Sequence, residues 1–243
     1  MKSGILLLFS LLLFVADTLL AQCNPFYNLE EGRVFELTHY NKKDKVESVV
    51  KNTVQDFTVN GSDFLAVIRS KTTDSKSKEV LEGSYEIQCK EGVLYIDPNQ
   101  MIPNDAMAAY KNVNVTMEGD DLQFPSSLEV GMALEDASFT TKIEMEGNEA
   151  SSNPVANLTV NETNFTITNR KVENKENIST PAGTFNCYKI SYTLIGETKI
   201  FGIKKKFEYA SVEWIAKGVG VVKSESYNAK GKLLGYTMLT AYK

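Results

Sequence analysis

Residues 81–96 run Leu81-Glu82-Gly83-Ser84-Tyr85-Glu86-Ile87-Gln88-Cys89-Lys90-Glu91-Gly92-Val93-Leu94-Tyr95-Ile96, and this stretch decides the fold class. Tyr85, Ile87 and Cys89 alternate with Ser84, Glu86 and Gln88. That period of two places the apolar side chains on one face of a strand. Glu91-Gly92 turns the chain straight into Val93–Ile96. A strand with one wet face, a tight turn and a second strand together form the unit of an antiparallel meander.

The same grammar extends in both directions. Toward the N-terminus, Arg33–Tyr40 alternates, with Val34, Glu36, Thr38 and Tyr40 on one face and Arg33, Phe35, Leu37 and His39 on the other. The polar turn Asn41-Lys42-Lys43-Asp44 leads into a long strand, Val46–Val59. Asn60-Gly61 is a hairpin signal, because both residues tolerate positive φ. Phe64–Arg69 follows, then the polar loop Thr72–Lys78.

Toward the C-terminus, strands are expected at Val113–Glu118, Leu122–Phe124, Phe139–Glu146, Ala156–Thr168 and Val172–Ile178. Further strands fall at Cys187–Ile195, Phe207–Ala216, Val221–Tyr227 and Leu233–Ala241. Only Pro98–Tyr110 breaks the pattern. Pro103 there is placed like the first residue of a helix, which predicts roughly one to two helical turns between Pro103 and Lys111. No 3.6-residue period is sustained elsewhere.

The expected fold is all-β, with about a dozen antiparallel strands, a number at which sheets curl or split into layers. A single strongly curved sheet, half-barrel or barrel, with one short helical insertion is preferred over a flattened sandwich, since curling removes exposed edges.

The first residues have a separate purpose. Lys2 precedes an apolar run from Ile5 to Val15, and Ala21 is a small residue suited to a signal-peptidase cut. The run is too short to cross a bilayer, which needs ~20 apolar residues, and fits a signal peptide over residues 1–21. One β-rich domain over 22–243 then remains, a length that all-β domains reach undivided. Two processing routes are open. Cleavage after Ala21 releases a soluble protein, whereas Leu20-Ala21-Gln22-Cys23 resembles a lipobox and would acylate Cys23. Gln22 stands where that motif holds a small residue, which favours release.

The net charge of −5 and the lack of a basic cluster in the sequence argue against a nucleic-acid partner. Lys204-Lys205-Lys206 is the only basic run and reads as a solvated strand end. Cys23, Cys89 and Cys187 are candidates for a disulfide or for lipidation, since disulfides persist in exported chains and an odd count leaves one sulfur over. Acylation of Cys23 would leave Cys89–Cys187 as the pair; a free Cys23 makes Cys23–Cys89 equally reasonable.

Thr180-Pro181-Ala182-Gly183-Thr184-Phe185-Asn186-Cys187-Tyr188-Lys189-Ile190 and Trp214-Ile215-Ala216-Lys217-Gly218-Val219-Gly220-Val221-Val222-Lys223-Ser224-Glu225 are distinctive. With Cys23, Leu29-Glu30-Glu31-Gly32 and Tyr85–Cys89, they resemble an uncharacterised family of exported Bacteroidota proteins, a domain of unknown function labelled TapB-like. The resemblance spans nearly the whole mature chain. It implies a curved sheet like that of LolA/LolB-type lipoprotein carriers, and it implies no activity. Physically, Pro181 and Gly183 close a tight connection, Phe185 anchors it in the core, and Trp214 supplies a large buried area near the Gly218/Gly220 bend.

The sequence holds little that suggests chemistry. His39 is the only histidine and lies on a strand face with Phe35 and Leu37, so it reads as a partly covered strand residue rather than a catalytic base. One histidine and three scattered cysteines make no zinc site. Asp120-Asp121 and Glu144/Glu146 could touch calcium, but solvation explains them. No cofactor and no catalytic residue are expected.

The one functional-looking segment holds Met101, Ile102, Met107 and Tyr110, flexible apolar side chains able to close the mouth of a curled sheet. The alternative is that they plug its end as core. Two functions follow. The first is a binding protein, not an enzyme, that holds a lipid or other hydrophobic small molecule, with those four residues at the entrance. The second is a structural or envelope-assembly protein that works through protein contacts. A periplasmic or extracellular location suits both, with membrane association only if Cys23 is lipidated; an unrecognised hydrolase ranks last.

Overall fold

A computed structural model describes residues 23–96, 113–145, 162–200 and 203–243. In chain order the strands are β1 (Val34–Asn41), β2 (Val46–Asn60), β3 (Asp63–Asp74), β4 (Glu79–Lys90), β5 (Val93–Ile96), β6 (Val113–Gly119) and β7 (Leu122–Phe124). They continue as β8 (Ala137–Met145), β9 (Glu162–Thr180), β10 (Gly183–Ile200), β11 (Ile203–Ala216), β12 (Gly220–Asn228) and β13 (Leu233–Tyr242). All form one 13-stranded sheet in the order β6-β8-β9-β10-β11-β12-β13-β1-β2-β3-β4-β5-β7, with antiparallel pairing throughout. Among the described residues every regular element is a strand. The expected helical insertion at 103–111 lies outside the described residues.

The sheet is open, which corrects the closed-barrel alternative. Its outermost strands, β6 and β7, do not ladder with each other among the described residues, although only Asp120 and Asp121 separate them in sequence. Asp120-Asp121 leads from one edge strand to the other, and the segment between β7 and β8 leads back to the strand beside β6.

The hairpin at Asn60 is shifted by one residue from the sequence expectation. Asn60 pairs with Asp63, so the turn residues are Gly61 and Ser62, with Gly61 at φ 65°. The β9–β10 hairpin turns on Pro181-Ala182, because Thr180 pairs with Gly183. Its first strand, Glu162–Thr180, is continuous where two strands, Ala156–Thr168 and Val172–Ile178, are expected, and its second runs to Ile200, past the expected end at Ile195.

Side-chain alternation divides the sheet into an inner and an outer face. On β3, β4 and β5 the inner residues include Ala66, Ile68, Ile87, Cys89 and Leu94, all fully buried. They join Phe139, Ile167, Val172 and Ile190 in the main core. Two irregular segments fill this core from inside, one running from Cys23 to Leu29 and one carrying Leu128 and Leu134. A smaller cluster on the outer face gathers Cys187, Trp214, Ala216 and Val222, with Phe185 packed against it.

The N-terminal segment crosses one end of the inner face. Cys23 is disulfide-bonded to Cys89 on β4, with their Cα atoms 6.0 Å apart. The buried Asn24 amide donates to the Phe124 carbonyl at 3.1 Å and the Gly92 carbonyl at 3.4 Å, while its oxygen accepts from the Phe26 N–H. Phe26 meets Tyr188 edge-on at 5.7 Å. The Gly218 N–H donates to the Pro25 carbonyl at 2.8 Å. A segment with no ladder of its own thus reaches β4, the β4–β5 turn, β7, β10 and the β11–β12 turn.

Candidate functional site

Met101, Ile102, Met107 and Tyr110 lie outside the described residues, so the site is built from the sheet itself. Directly paired residues in antiparallel strands project to the same face. One such row runs Ile190, Glu213, Ser224, Thr237, His39, Ser48 and Asp74, from β10 across β11, β12, β13, β1 and β2 to β3. Ile190 belongs to the core, which makes this the inner face. Beyond Ile190 every side chain in the row is polar. The Thr237 hydroxyl and His39 Nδ1 are hydrogen-bonded at 2.8 Å, and Ser48 and Thr237 are buried. His39 is therefore a partly covered strand residue in a polar row, between the hydroxyl residues Thr237 and Ser48 that pair with it.

Glu213 is the deepest acid of the row and is only partly accessible. Burial raises its carboxyl above the usual range, and the Tyr192 hydroxyl and the Arg170 charge partly offset that rise. Tyr192 donates to Glu213 Oε1 at 2.8 Å. Desolvation, followed by the Glu213 charge, pushes the Tyr192 phenol well above its ordinary value. Arg170, 2% exposed, is lowered chiefly by burial. Its Nη1 donates to the carbonyls of Gln123 at 3.1 Å and Glu135 at 2.6 Å, and its guanidinium sits 4.8 Å from the Phe124 ring centre. Its Nη2 has no partner among the described residues.

An aromatic shelf adjoins the polar row. Phe139, Phe165, Gly196 and Phe207 pair in register across β8, β9, β10 and β11. Phe139 and Phe165 stack at 5.1 Å, Phe165 meets Phe207 edge-on at 5.9 Å, and Phe207 contacts Tyr209 at 5.5 Å. The Phe207 ring lies over Gly196, where a Cβ would stand 2.0 Å from it, so a side chain at 196 would displace the ring. Alternation along β11 therefore sets Phe207 and Tyr209 in line with Ser211 and Glu213 on one face. The arrangement offers an apolar platform continuous with hydrogen-bonding groups.

The sequence reading missed Tyr192, Arg170, Phe207, Tyr209 and Glu213 as a group. The signal was an acid in phase with the aromatic positions of β11, and it gains meaning only when that face is known to point inward.

Elsewhere, Trp214 is sandwiched on the outer face between Lys189 and Lys223, whose ammonium groups lie 5.4 and 4.7 Å from its ring centre. Its Nε1 donates to Glu176 at 2.7 Å. Cys187 is a buried free thiol, pushed up to about 11 by desolvation. A groove of about 480 Å³ at the β9–β10 turn is lined by Lys175, Phe185, Asn186, Tyr188 and Lys217. It is a mixed polar surface rather than an apolar chamber. No cluster of three or more metal-binding side chains occurs among the described residues.

Comparison with known proteins bears on the fold. The family model described as DUF3108-like matches residues 30–239. A Bacteroides fragilis protein assigned to export, with a YmcC-like fold, superposes with a TM-score of 0.73 at 22% identity, covering 91% of this chain and 100% of its own. A Parabacteroides distasonis protein assigned as a lipoprotein superposes with a TM-score of 0.74 at 22% identity and the same coverage. Among curated proteins none matches. At this level of identity the two structures establish a shared fold.

Proposed function

This chain belongs to the DUF3108-like family, and from that premise we propose that it is an exported binding protein, not an enzyme. It holds an amphipathic molecule against the inner face of its sheet. The observation that carries the reading is the line along β11, where the aromatic pair Phe207–Tyr209 runs directly into Ser211 and Glu213. The aromatic shelf takes an apolar chain. The row from Glu213 to Ser48 takes a group rich in hydrogen-bonding atoms. This sharpens the expected hydrophobic ligand into one with a polar end.

Three further points belong to the proposal. The sheet curls into a half-barrel around this face, supported by the contact of Arg170 on β9 with the Gln123 carbonyl on β7, strands far apart in sheet order. Export follows the signal peptide, in keeping with the exported and lipoprotein assignments of the two structural relatives. Cleavage after Ala21 is favoured over acylation, because a Cys23 sulfur bonded to Cys89 cannot also carry a lipid thioether.

Native mass spectrometry of protein purified after export tests the reading. The expected result is a retained small molecule, released by organic solvent, with occupancy reduced about tenfold in Phe207→Ala, as loss of one buried aromatic contact implies. Absence of any retained molecule, together with no uptake of a fluorescent fatty acid, would overturn it.

An envelope-assembly role is the second reading, favoured by the ordered outer-face group of Lys189, Trp214, Lys223 and Glu176. It predicts a partner protein whose capture is lost in Lys189→Glu/Lys223→Glu.

A further inference from the structure

The strand directions place alternate turns at the same end of the sheet. The β1–β2 turn at 42–45, the β3–β4 turn at 75–78, the β12–β13 turn at 229–232 and the first residues of β11 at 203–206 all lie at one end. These four short segments hold Lys42, Lys43 and Lys45, then Lys76 and Lys78, then Lys230 and Lys232, and finally Lys204, Lys205 and Lys206. The only carboxylate inside them is Asp44, which accepts a hydrogen bond from the Tyr236 hydroxyl. All of these lysines are exposed, and the carboxylate of Asp74 beside the β3–β4 turn, which accepts the Lys78 and Lys76 N–H groups and is lowered chiefly by them, offsets part of the charge of those two.

The opposite end differs. Its turns at 61–62, 91–92, 181–182 and 217–219 contain one lysine, Lys217, and one acid, Glu91. A chain with a net charge of −5 thus concentrates positive charge at one pole. The same pole carries three of the largest exposed aliphatic side chains: Ile203 at 61%, Leu234 at 41% and Val46 at 40%. The β10–β11 ribbon projects there. β11 pairs with β12 only from Tyr209 onward, so 203–208 extend beyond it by roughly 20 Å at ~3.3 Å per residue.

We propose that this basic pole docks on an anionic lipid surface, with Ile203 at the leading edge of the projecting ribbon. Clustered lysines draw a protein to negatively charged lipid within about a Debye length, and neighbouring aliphatic side chains enter the interfacial region. The opposite end is the one crossed by the disulfide-tethered segment around Asn24 and Phe26.

Co-sedimentation of the exported protein with vesicles tests the proposal, using phosphatidylcholine alone and phosphatidylcholine with about one-third phosphatidylglycerol. Binding is expected only to the anionic vesicles. It should fall at least about tenfold in K204Q/K205Q/K206Q and again in salt of about 1 M, where charge is screened within ~3 Å. Ile203→Ser should weaken what remains, while Lys217→Gln at the far pole should bind as wild type does. Thermal unfolding of each variant checks that these exposed changes leave the fold intact.

Equal binding to neutral vesicles, no binding to anionic ones, or no loss in the triple variant would overturn the proposal. Capture by soluble heparin without vesicle binding would do the same. The measurement needs no internal ligand, so its failure leaves the inner-face reading standing, and the converse also holds.

Discussion

The ring of Tyr27 lies against the bare backbone of Gly220, so that a Cβ at Gly220 would stand 2.3 Å from a ring carbon. Gly220 also has φ +86°, a left-handed conformation that other residues adopt at a cost. This contact seats the N-terminal segment against β12. Burial, aided by the Glu213 charge, raises the Tyr27 phenol far above its ordinary value, so it stays neutral. Gly220→Ala should destabilise the fold by about 3 kcal/mol through strain and overpacking together. Gly231→Ala, at φ +72° with open space around it, should cost only about 1 kcal/mol. Urea unfolding midpoints of the two variants check the difference.

The Cys23–Cys89 disulfide joins residues 66 apart. Closing a loop of that length restricts the unfolded chain by about 4 kcal/mol in the chain-entropy model. Cys23→Ser/Cys89→Ser should lose a large part of that stability. Hydrogen exchange should rise first in residues 23–29, which have no ladder bonds of their own. Unchanged exchange in that segment would mean that Asn24 and Phe26 hold it without help.

Arg170 fastens β9 to both the β7 strand and the segment before β8 through the Gln123 and Glu135 carbonyls. Arg170→Ala should cost about 3 kcal/mol, since it strands buried acceptors and empties the site over Phe124. Arg170→Met should recover part of that loss by restoring the packing but not the hydrogen bonds. Chemical denaturation of both variants separates the two contributions.

Glu213 sets a pH dependence whose sign follows from burial. Its folded-state carboxyl is raised, so the folded protein takes up the proton more readily than the unfolded chain. The ionised form therefore weighs against folding. That penalty is absent below the unfolded carboxyl value of ~4.3 and grows as pH rises through the folded value. Glu213→Gln, which still accepts from Tyr192, should stabilise the protein at neutral pH and lose its advantage near pH ~4. A stability gap that widens on acidification would contradict this account.

Local pattern and long-range assembly contributed unequally to what could be read in the chain. The alternation of Tyr85, Ile87 and Cys89, the Pro181/Gly183 connection and the Gly218–Gly220 bend were legible because strand period and turn conformation depend on neighbouring residues. Strand ends were less legible: β10 and β11 extend to Ile200 and Ile203, where polar residues continue a ladder that their own pattern does not demand. Sequence does not choose between Cys23 and Cys187 as the partner of Cys89, since pairing depends on which Cα atoms meet in space, and the fold brings Cys23 there.

The functional surfaces were the least legible. Alternation marks which residues of β11 share a face, but only the pairing of β10, β11 and β12 makes that face the inner one and brings Tyr192 to Glu213. The lysines are the sharpest case. In sequence they form short, separate groups, and only Lys204-Lys205-Lys206 stands out as a basic run. The sequence by itself determined a β-rich chain of antiparallel strands, because hydrophobic period and turn chemistry act over a few residues. The antiparallel order of the strands decided the rest, since it alone sends alternate turns to the same end and gathers those distant charges into one pole.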